Sequence, residues 1–91
     1  MVKAIILLSG NGSNFQNIID NIKSGFLKIK ICNVLSDNKN AYGLKRAKKE
    51  KIKTIIISSN NDYDSVTKTI IGNSVDIIIL AGYMKILPAS F

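Results

Sequence analysis

Short apolar runs alternate along this chain with segments in which apolar residues recur every three or four positions. An unbroken apolar run is typical of a strand covered on both faces of a parallel sheet, and the longer period is typical of a helix that packs on one side. The pattern predicts strands over residues 3–8, 29–35, 53–57 and 75–80 and helices over residues 13–24, 41–51 and 62–71. The order of elements is therefore βαβαβαβ.

This order predicts an α/β fold, namely a three-layer, Rossmann-like parallel sheet with right-handed crossover helices. The 91 residues suffice for one domain, because domains run from about 50 to 250 residues. A doubly wound sheet normally adds strands beyond the point where the strand order reverses. We therefore expect residues 1–91 to form the amino-terminal portion of a single domain, a half-domain whose uncovered sheet edge promotes self-association.

The residues that face the sheet follow from the helical spacing. They are Phe15, Ile18, Ile19, Ile22 and Phe26 for the first helix, and Tyr42, Leu44 and Ala47 for the second. The third helix is predicted to be the weakest, because its threonines and isoleucines have low helix propensity. We expect it to close at Gly72 and Asn73.

Histidine is absent from the chain and cysteine occurs once, as Cys32. A single cysteine excludes an internal disulfide and a cysteine-based zinc cluster. The lack of histidine removes the commonest metal ligand and the commonest general base near neutral pH. No apolar run approaches the roughly 20 residues that a membrane span needs. We predict a buried Cys32, no metal site, and a cytoplasmic protein without a membrane partner.

The chain is strongly basic, with 13 Lys and Arg against 6 Asp and Glu and a net charge of +7. This balance suits phosphorylated metabolites, nucleic acid or anionic lipid. The most basic stretch is KRAKKEKIK, residues 45–53, whose lysines fall on the outward face of the second helix. No aromatic platform for stacking bases accompanies them. We therefore interpret this face as solvated and predict no specific nucleic-acid partner.

The stretch LLSGNGSNFQNII, residues 7–19, leads from the first strand through two glycines into the first helix. Ligands of doubly wound sheets bind beyond the carboxyl ends of the strands. A helix start there offers unpaired N–H groups and the positive end of the helix dipole. Gly10 and Gly12 permit positive φ and close backbone approach, and Ser13 and Asn14 add a hydroxyl and an amide. The loop is predicted to bind an anion such as a phosphate, although a capped turn without a ligand has the same spacing.

The loop does not complete either of the common nucleotide-binding motifs. The dinucleotide fingerprint G-x-G-x-x-G has Phe15 in the place of its third glycine, while Asp37 after the second strand could hold a ribose as that fingerprint requires. A nicotinamide cofactor therefore stays open as an alternative. A P-loop is excluded, because no Gly-Lys-Ser/Thr follows. Among the carboxylates, Asp37 is the one that we expect near the ligand edge.

Three segments in order resemble the motifs of the phosphoribosylglycinamide formyltransferases, also called glycinamide ribonucleotide transformylases. They are LLSGNGSNFQNIID, SDNKNAYGLKRA and DIIILAGYMKIL, at residues 7–20, 36–47 and 76–87. The resemblance covers essentially the whole chain and implies a formyltransferase-type sheet. It also implies transfer of a formyl group from 10-formyltetrahydrofolate to the amine of glycinamide ribonucleotide, in de novo purine (IMP) biosynthesis.

The resemblance implies a role for two groups of residues. Gly12, Ser13 and Asn14 match the loop that holds the 5′-phosphate of glycinamide ribonucleotide. Met84, Lys85, Ile86 and Leu87 match the segment that lines the pocket for the folate co-substrate. The family often carries a basic residue directly after the YDS segment, near the glutamate tail of the folate, where this chain has Val66.

The same resemblance implies that the catalytic groups lie outside these residues. In the family, an Asn-x-His segment follows just after the position of Phe91, and an Asp comes later. We therefore predict no catalytic residue within this chain and no turnover by these residues alone. The alternative is a non-catalytic module that retains phosphate binding.

Overall fold

The computed structural model describes residues 1–58 and 62–83. It contains four strands and three helices in strict alternation within those residues. They are β1 (Val2–Leu8), α1 (Ser13–Lys23), β2 (Ile29–Ser36), α2 (Tyr42–Lys49), β3 (Lys53–Ile56), α3 (Asp62–Asn73) and β4 (Ile77–Leu80). The βαβαβαβ order is confirmed.

The strands form one parallel sheet in the order β3-β2-β1-β4. The chain moves outward from β1 through β2 to β3, and then returns to place β4 on the other side of β1. Ala4 to Leu7 of β1 pair with Ile77 to Leu80 of β4. The strand order thus reverses between β1 and β4, as in a doubly wound sheet, and the predicted Rossmann-like architecture is confirmed.

The central strand β1 is buried on both faces, which explains its unbroken apolar sequence. Ile6 and Leu8 belong to the core that α1 and α2 cover. Ile5 and Leu7 point to the opposite face and pack with Val66 of α3. The crossovers that move outward from β1 share one face, and the crossover that returns takes the other. The three layers follow from this arrangement.

Two aromatic residues that the helical spacing assigned to the core are exposed instead. Phe26 is 85% exposed, because α1 ends at Lys23 and Gly25 turns the chain with φ 82°. Tyr42 is 53% exposed, because it begins α2 and its ring lies against the guanidinium of Arg46 at 4.8 Å. A residue at the edge of a helix can satisfy the spacing without reaching the core.

The third helix runs beyond its predicted end at residue 71 and includes Gly72 and Asn73. Its last carbonyls are satisfied by the residues that follow: the N–H of Ser74 donates to Ile71 and the N–H of Val75 donates to Ile70, at 3.2 and 3.0 Å. This is the Schellman arrangement. The predicted end of the third helix at residue 71 was therefore wrong by two residues. The fourth strand begins at Ile77 and not at the predicted residue 75.

Ser74 occupies the left-handed position of this helix end, with φ 54°. Glycine is the residue that suits such a position, because any other side chain is strained there. We expect Ser74→Gly to raise the free energy of unfolding by about 0.5–1 kcal/mol, measured by urea denaturation. An unchanged or lower midpoint with an unchanged slope would contradict this account.

Candidate functional site

A crevice opens at the carboxyl ends of β1 and β4, where the strand order reverses. Its volume is about 140 Å³, and it is lined by Gly10, Asn11, Gly12, Ser13, Asn14, Ala81 and Gly82. In open α/β sheets, this is the position at which ligands bind. The structure therefore brings the predicted loop residues Gly12, Ser13 and Asn14 together at one crevice, beside the turn after β4.

Gly12 is the residue before α1 and has left-handed backbone angles, φ 78° and ψ 28°. A Cβ atom at this position would lie 2.7 Å from the Cα atom of Gly43 in α2. Only glycine fits both the backbone conformation and the space. Gly10 differs, because it has no positive φ and a Cβ there would meet nothing within 4 Å. A positive φ is confirmed at Gly12 and is wrong for Gly10.

Ser13 and Asn14 begin α1 and are both exposed. The backbone N–H of Ser13 donates to the side-chain Oδ1 of Asn11 at 2.9 Å. Asn11 thus makes a local turn just before α1, as asparagine does two residues before an N–H, while Gly12, the residue before the helix, provides no side-chain cap. Asn11 was not among the residues predicted for the site, although an Asn between two glycines before a helix is a usable signal for this turn.

The loop is also held from behind by α2. The N–H of Gly43 donates to the carbonyl of Gly10 at 3.2 Å. Arg46 Nε donates to the carbonyl of Asn11 at 2.8 Å, and one terminal nitrogen of Arg46 donates to Gln16 Oε1 at 3.1 Å. These contacts join residues about 30 positions apart in the chain, so no local pattern in the sequence could predict them.

Phe15 stands where a dinucleotide fingerprint has its third glycine, and it is fully buried in the core under α1. A glycine at that position would let the helix approach the sheet closely, whereas the phenyl ring fills this space. The loop is therefore built differently from a dinucleotide-binding turn.

The family follows from comparison with known proteins. The family model described as formyl transferase matches residues 2–91. This chain belongs to the formyl transferase family. It corresponds to the amino-terminal half of the phosphoribosylglycinamide formyltransferases that it matches.

Two relatives show the extent of the similarity. The phosphoribosylglycinamide formyltransferase of Dictyostelium discoideum is 42% identical over 94% of this chain and 48% of its own length. That of Haemophilus influenzae is 41% identical over 100% of this chain and 46% of its own length. The chain thus spans about half the length of the curated relatives that it matches.

Solved structures agree on the fold. Glycinamide ribonucleotide transformylase 1 from Geobacillus kaustophilus superposes with a TM-score of 0.91 at 27% identity, over 99% of this chain and 51% of that one. The phosphoribosylglycinamide formyltransferase of Coxiella burnetii gives a TM-score of 0.85 at 39% identity, over 98% and 44%. The formyl transferase fold thus extends over nearly all of this chain.

Residue 66, which the resemblance placed near the glutamate tail of the folate, is part of the core here. Val66 is 1% exposed and packs among Ile5, Leu7 and Tyr63 between α3 and the sheet. Lys68 lies two residues further along α3 and is exposed. The backbone of α3 therefore directs residue 66 toward the core and away from any charged ligand.

Asp37 directly follows β2 at the carboxyl edge of the sheet, as the sequence analysis expected. It is not among the residues that line the crevice. Its Oδ1 atom is buried and has no hydrogen-bond partner within the part of the chain that the structure describes. The charge of Asp37 acts on Tyr83, which follows the turn after β4.

Tyr83 is the last residue that the structure describes, and its hydroxyl shares a hydrogen bond with the hydroxyl of Tyr63 in α3. Burial raises the pKa of Tyr83, and the bond with Tyr63 and the nearby Asp37 raise it further. The phenol therefore stays protonated at neutral pH and ties the segment after β4 to α3. Met84, Lys85, Ile86 and Leu87, which the resemblance assigned to the folate pocket, lie outside the described residues.

Two larger cavities lie at the other end of the sheet, near the amino ends of β2 and β3. Their volumes are about 670 and 340 Å³, and Lys30, Glu50 and Ile52 line both. Parallel sheets bind their ligands at the opposite end, so size alone does not identify the site.

Among the described helices, none is both long and apolar enough to cross a membrane.

Proposed function

We propose that this chain is the amino-terminal portion of a single phosphoribosylglycinamide formyltransferase domain, and that its loop binds the 5′-phosphate of glycinamide ribonucleotide. The observation that carries the proposal is the crevice at the strand-order reversal, which is lined by the start of α1. The curated relatives named for this activity support the same assignment.

The proposed phosphate site rests on backbone donors. The first N–H groups of a helix lack partners within the helix, and the helix dipole adds a favourable potential for an anion. Gly12 lets the backbone approach the phosphate closely, and Ser13 and Asn14 supply a hydroxyl and an amide. The net charge of +7 favours the approach of an anionic substrate.

In this proposal, Met84, Lys85, Ile86 and Leu87 line the pocket for 10-formyltetrahydrofolate. That co-substrate supplies the formyl group, and the amine of the ribonucleotide receives it. The contribution of the phosphate loop is to hold the ribonucleotide in place, which lowers the entropic cost of bringing the amine to the formyl carbon. The proposal includes a cytoplasmic location and no specific nucleic-acid partner.

Ligand binding is tested by thermal unfolding in the presence of glycinamide ribonucleotide. At a ligand concentration ten times the dissociation constant, binding stabilises the folded state by about 1.4 kcal/mol. For a chain of this size, we expect the melting temperature to rise by about 5–10 °C. The dephosphorylated riboside is the control and should give no comparable rise. Equal rises with both ligands, or none with millimolar ribonucleotide, would refute the phosphate loop.

A second candidate function is a phosphate-binding module without chemistry. It is favoured by one observation: none of the described residues lining the crevice is titratable at neutral pH. General acid–base groups contribute about 10²–10⁴-fold to such reactions. An assay of formyl transfer with both substrates separates the two functions, and we expect binding without measurable turnover from residues 1–91 alone. Turnover would show that groups within this chain move the protons.

A further inference from the structure

We propose that Arg46 is a positioning residue for the phosphate loop, and that it sets the direction in which the loop's N–H groups point. The inference rests on the proposed function, because it takes a phosphate as the ligand. Arg46 is the one arginine of the chain. It lies on α2, half-buried behind the loop, and does not line the crevice.

Two donors from α2 hold two successive carbonyls of the loop. The N–H of Gly43 binds the carbonyl of Gly10 at 3.2 Å, and Arg46 Nε binds the carbonyl of Asn11 at 2.8 Å. Both carbonyls therefore point toward α2. A guanidinium donor makes the second bond charge-assisted, and such bonds are stronger than bonds between neutral groups.

The direction of these carbonyls fixes the direction of the N–H groups that follow them. The described peptide bonds are all trans, and in a trans peptide the C=O and N–H of one plane point to opposite sides. The N–H groups of Asn11 and Gly12 must then point away from α2. Successive backbone N–H groups that face the same side form a concavity for anions. Arg46 thus acts on the phosphate through the backbone of the loop.

The guanidinium is itself held in one orientation. One terminal nitrogen of Arg46 donates to Gln16 Oε1 at 3.1 Å, and Gln16 Nε2 donates to Asp20 Oδ1 at 3.0 Å. The ring of Tyr42 lies 4.8 Å from the guanidinium carbon. A lysine would keep the positive charge, but its single ammonium cannot reproduce the planar, two-nitrogen arrangement. Geometry and charge can therefore be separated by substitution.

The test measures the binding of inorganic phosphate and ribose 5-phosphate at constant ionic strength. Arg46→Lys keeps the positive charge and removes the planar guanidinium group, whose nitrogens bind Asn11 and Gln16. Lys49→Gln is the matched control, because Lys49 is an exposed cation on the same helix with no part in the loop. We expect phosphate affinity to fall about tenfold in Arg46→Lys, the effect of losing one charge-assisted hydrogen bond, and to change less than about twofold in Lys49→Gln.

A second variant and a spectroscopic measurement separate positioning from stability. Gln16→Met leaves Arg46 in place but removes the acceptor that orients it, and we expect affinity to fall about threefold. In both Arg46→Lys and Gln16→Met, the amide NMR signals of Asn11 and Gly12 should shift without phosphate, while those of β2 and β3 stay in place. A purely structural role would leave the loop amides no more affected than the rest of the chain.

Three outcomes would overturn the inference in distinguishable ways. A wild-type chain that binds neither phosphate probe overturns the proposed function, and the role of Arg46 falls with it. Wild-type affinity in Arg46→Lys leaves the phosphate loop standing and refutes Arg46 as its positioning residue. Equal losses in Arg46→Lys, which keeps the charge, and Lys49→Gln, which removes one outside the loop, would show that the loss is not specific to the loop contacts and would refute the positioning role.

Discussion

Replacing Gly12 by alanine is expected to cost about 2–4 kcal/mol of folding free energy and to abolish phosphate binding. The backbone at Gly12 has φ 78°, which strains any residue with a Cβ. The added methyl would also lie 2.7 Å from the Cα of Gly43, and backbone cannot give way as a flexible side chain can. The loop and α2 must then separate, which moves the N–H groups that we propose to bind the phosphate.

Urea denaturation and a titration with ribose 5-phosphate measure the two effects of this substitution. Gly10→Ala is the matched control: it adds the same methyl two residues earlier, where nothing lies within 4 Å and φ is not positive. We expect the control to keep its stability within about 0.5 kcal/mol. Phosphate binding that survives in Gly12→Ala would remove the close approach of the loop and α2 from the account of the site.

Introducing an arginine at residue 66 is expected to destabilise the chain by about 3–5 kcal/mol, because it leaves an unpaired charge in the core. The resemblance alone places residue 66 near the glutamate tail of the folate, and on that basis Val66→Arg would be expected to add a contact with the folate. The structure predicts the opposite effect. Val66 is 1% exposed and contacts the core formed by Ile5, Leu7 and Tyr63.

The same measurement on Ser65→Arg supplies the comparison for Val66→Arg. Ser65 precedes Val66 on α3 but is exposed, and arginine has a better helix propensity than serine. We expect Ser65→Arg to unfold at the wild-type urea concentration or slightly above it. If Val66→Arg were as stable as Ser65→Arg, residue 66 would face solvent, and its role beside a folate tail would have to be reconsidered.

The strands were predictable because buried strands consist of consecutive apolar residues, which can be recognised in the sequence. β1 is the clearest case: it is apolar from Ala4 to Leu8, and all five of those residues are buried. Its position at the centre of the sheet requires cover on both faces, so no polar residue can alternate with the apolar ones. The glycine loop was located for a similar reason, since a strand-to-helix junction at a carboxyl end is a local feature.

The ends of elements were less predictable than their centres. Phe26 satisfied the period of α1 but lies beyond the turn at Gly25, and Tyr42 satisfied the period of α2 but packs on Arg46. The period alone cannot tell where a helix stops. The end of α3 was also misplaced, because Ser74 takes the left-handed conformation that ends the helix, and serine is not a residue type from which that conformation would be predicted.

The sequence by itself determined the order of strands and helices, the parallel sheet, and the place of the glycine loop between β1 and α1. These depend on periodicity and on turn chemistry, which act between residues a few positions apart. Only the tertiary structure decided that Gly12 meets Gly43, that Arg46 holds the carbonyl of Asn11 from 35 residues away, and that residue 66 is core. Such contacts form only when the crossover helices pack on the sheet. Packing brings together residues that are far apart in the chain, and the local sequence around either residue does not indicate which residue it will contact.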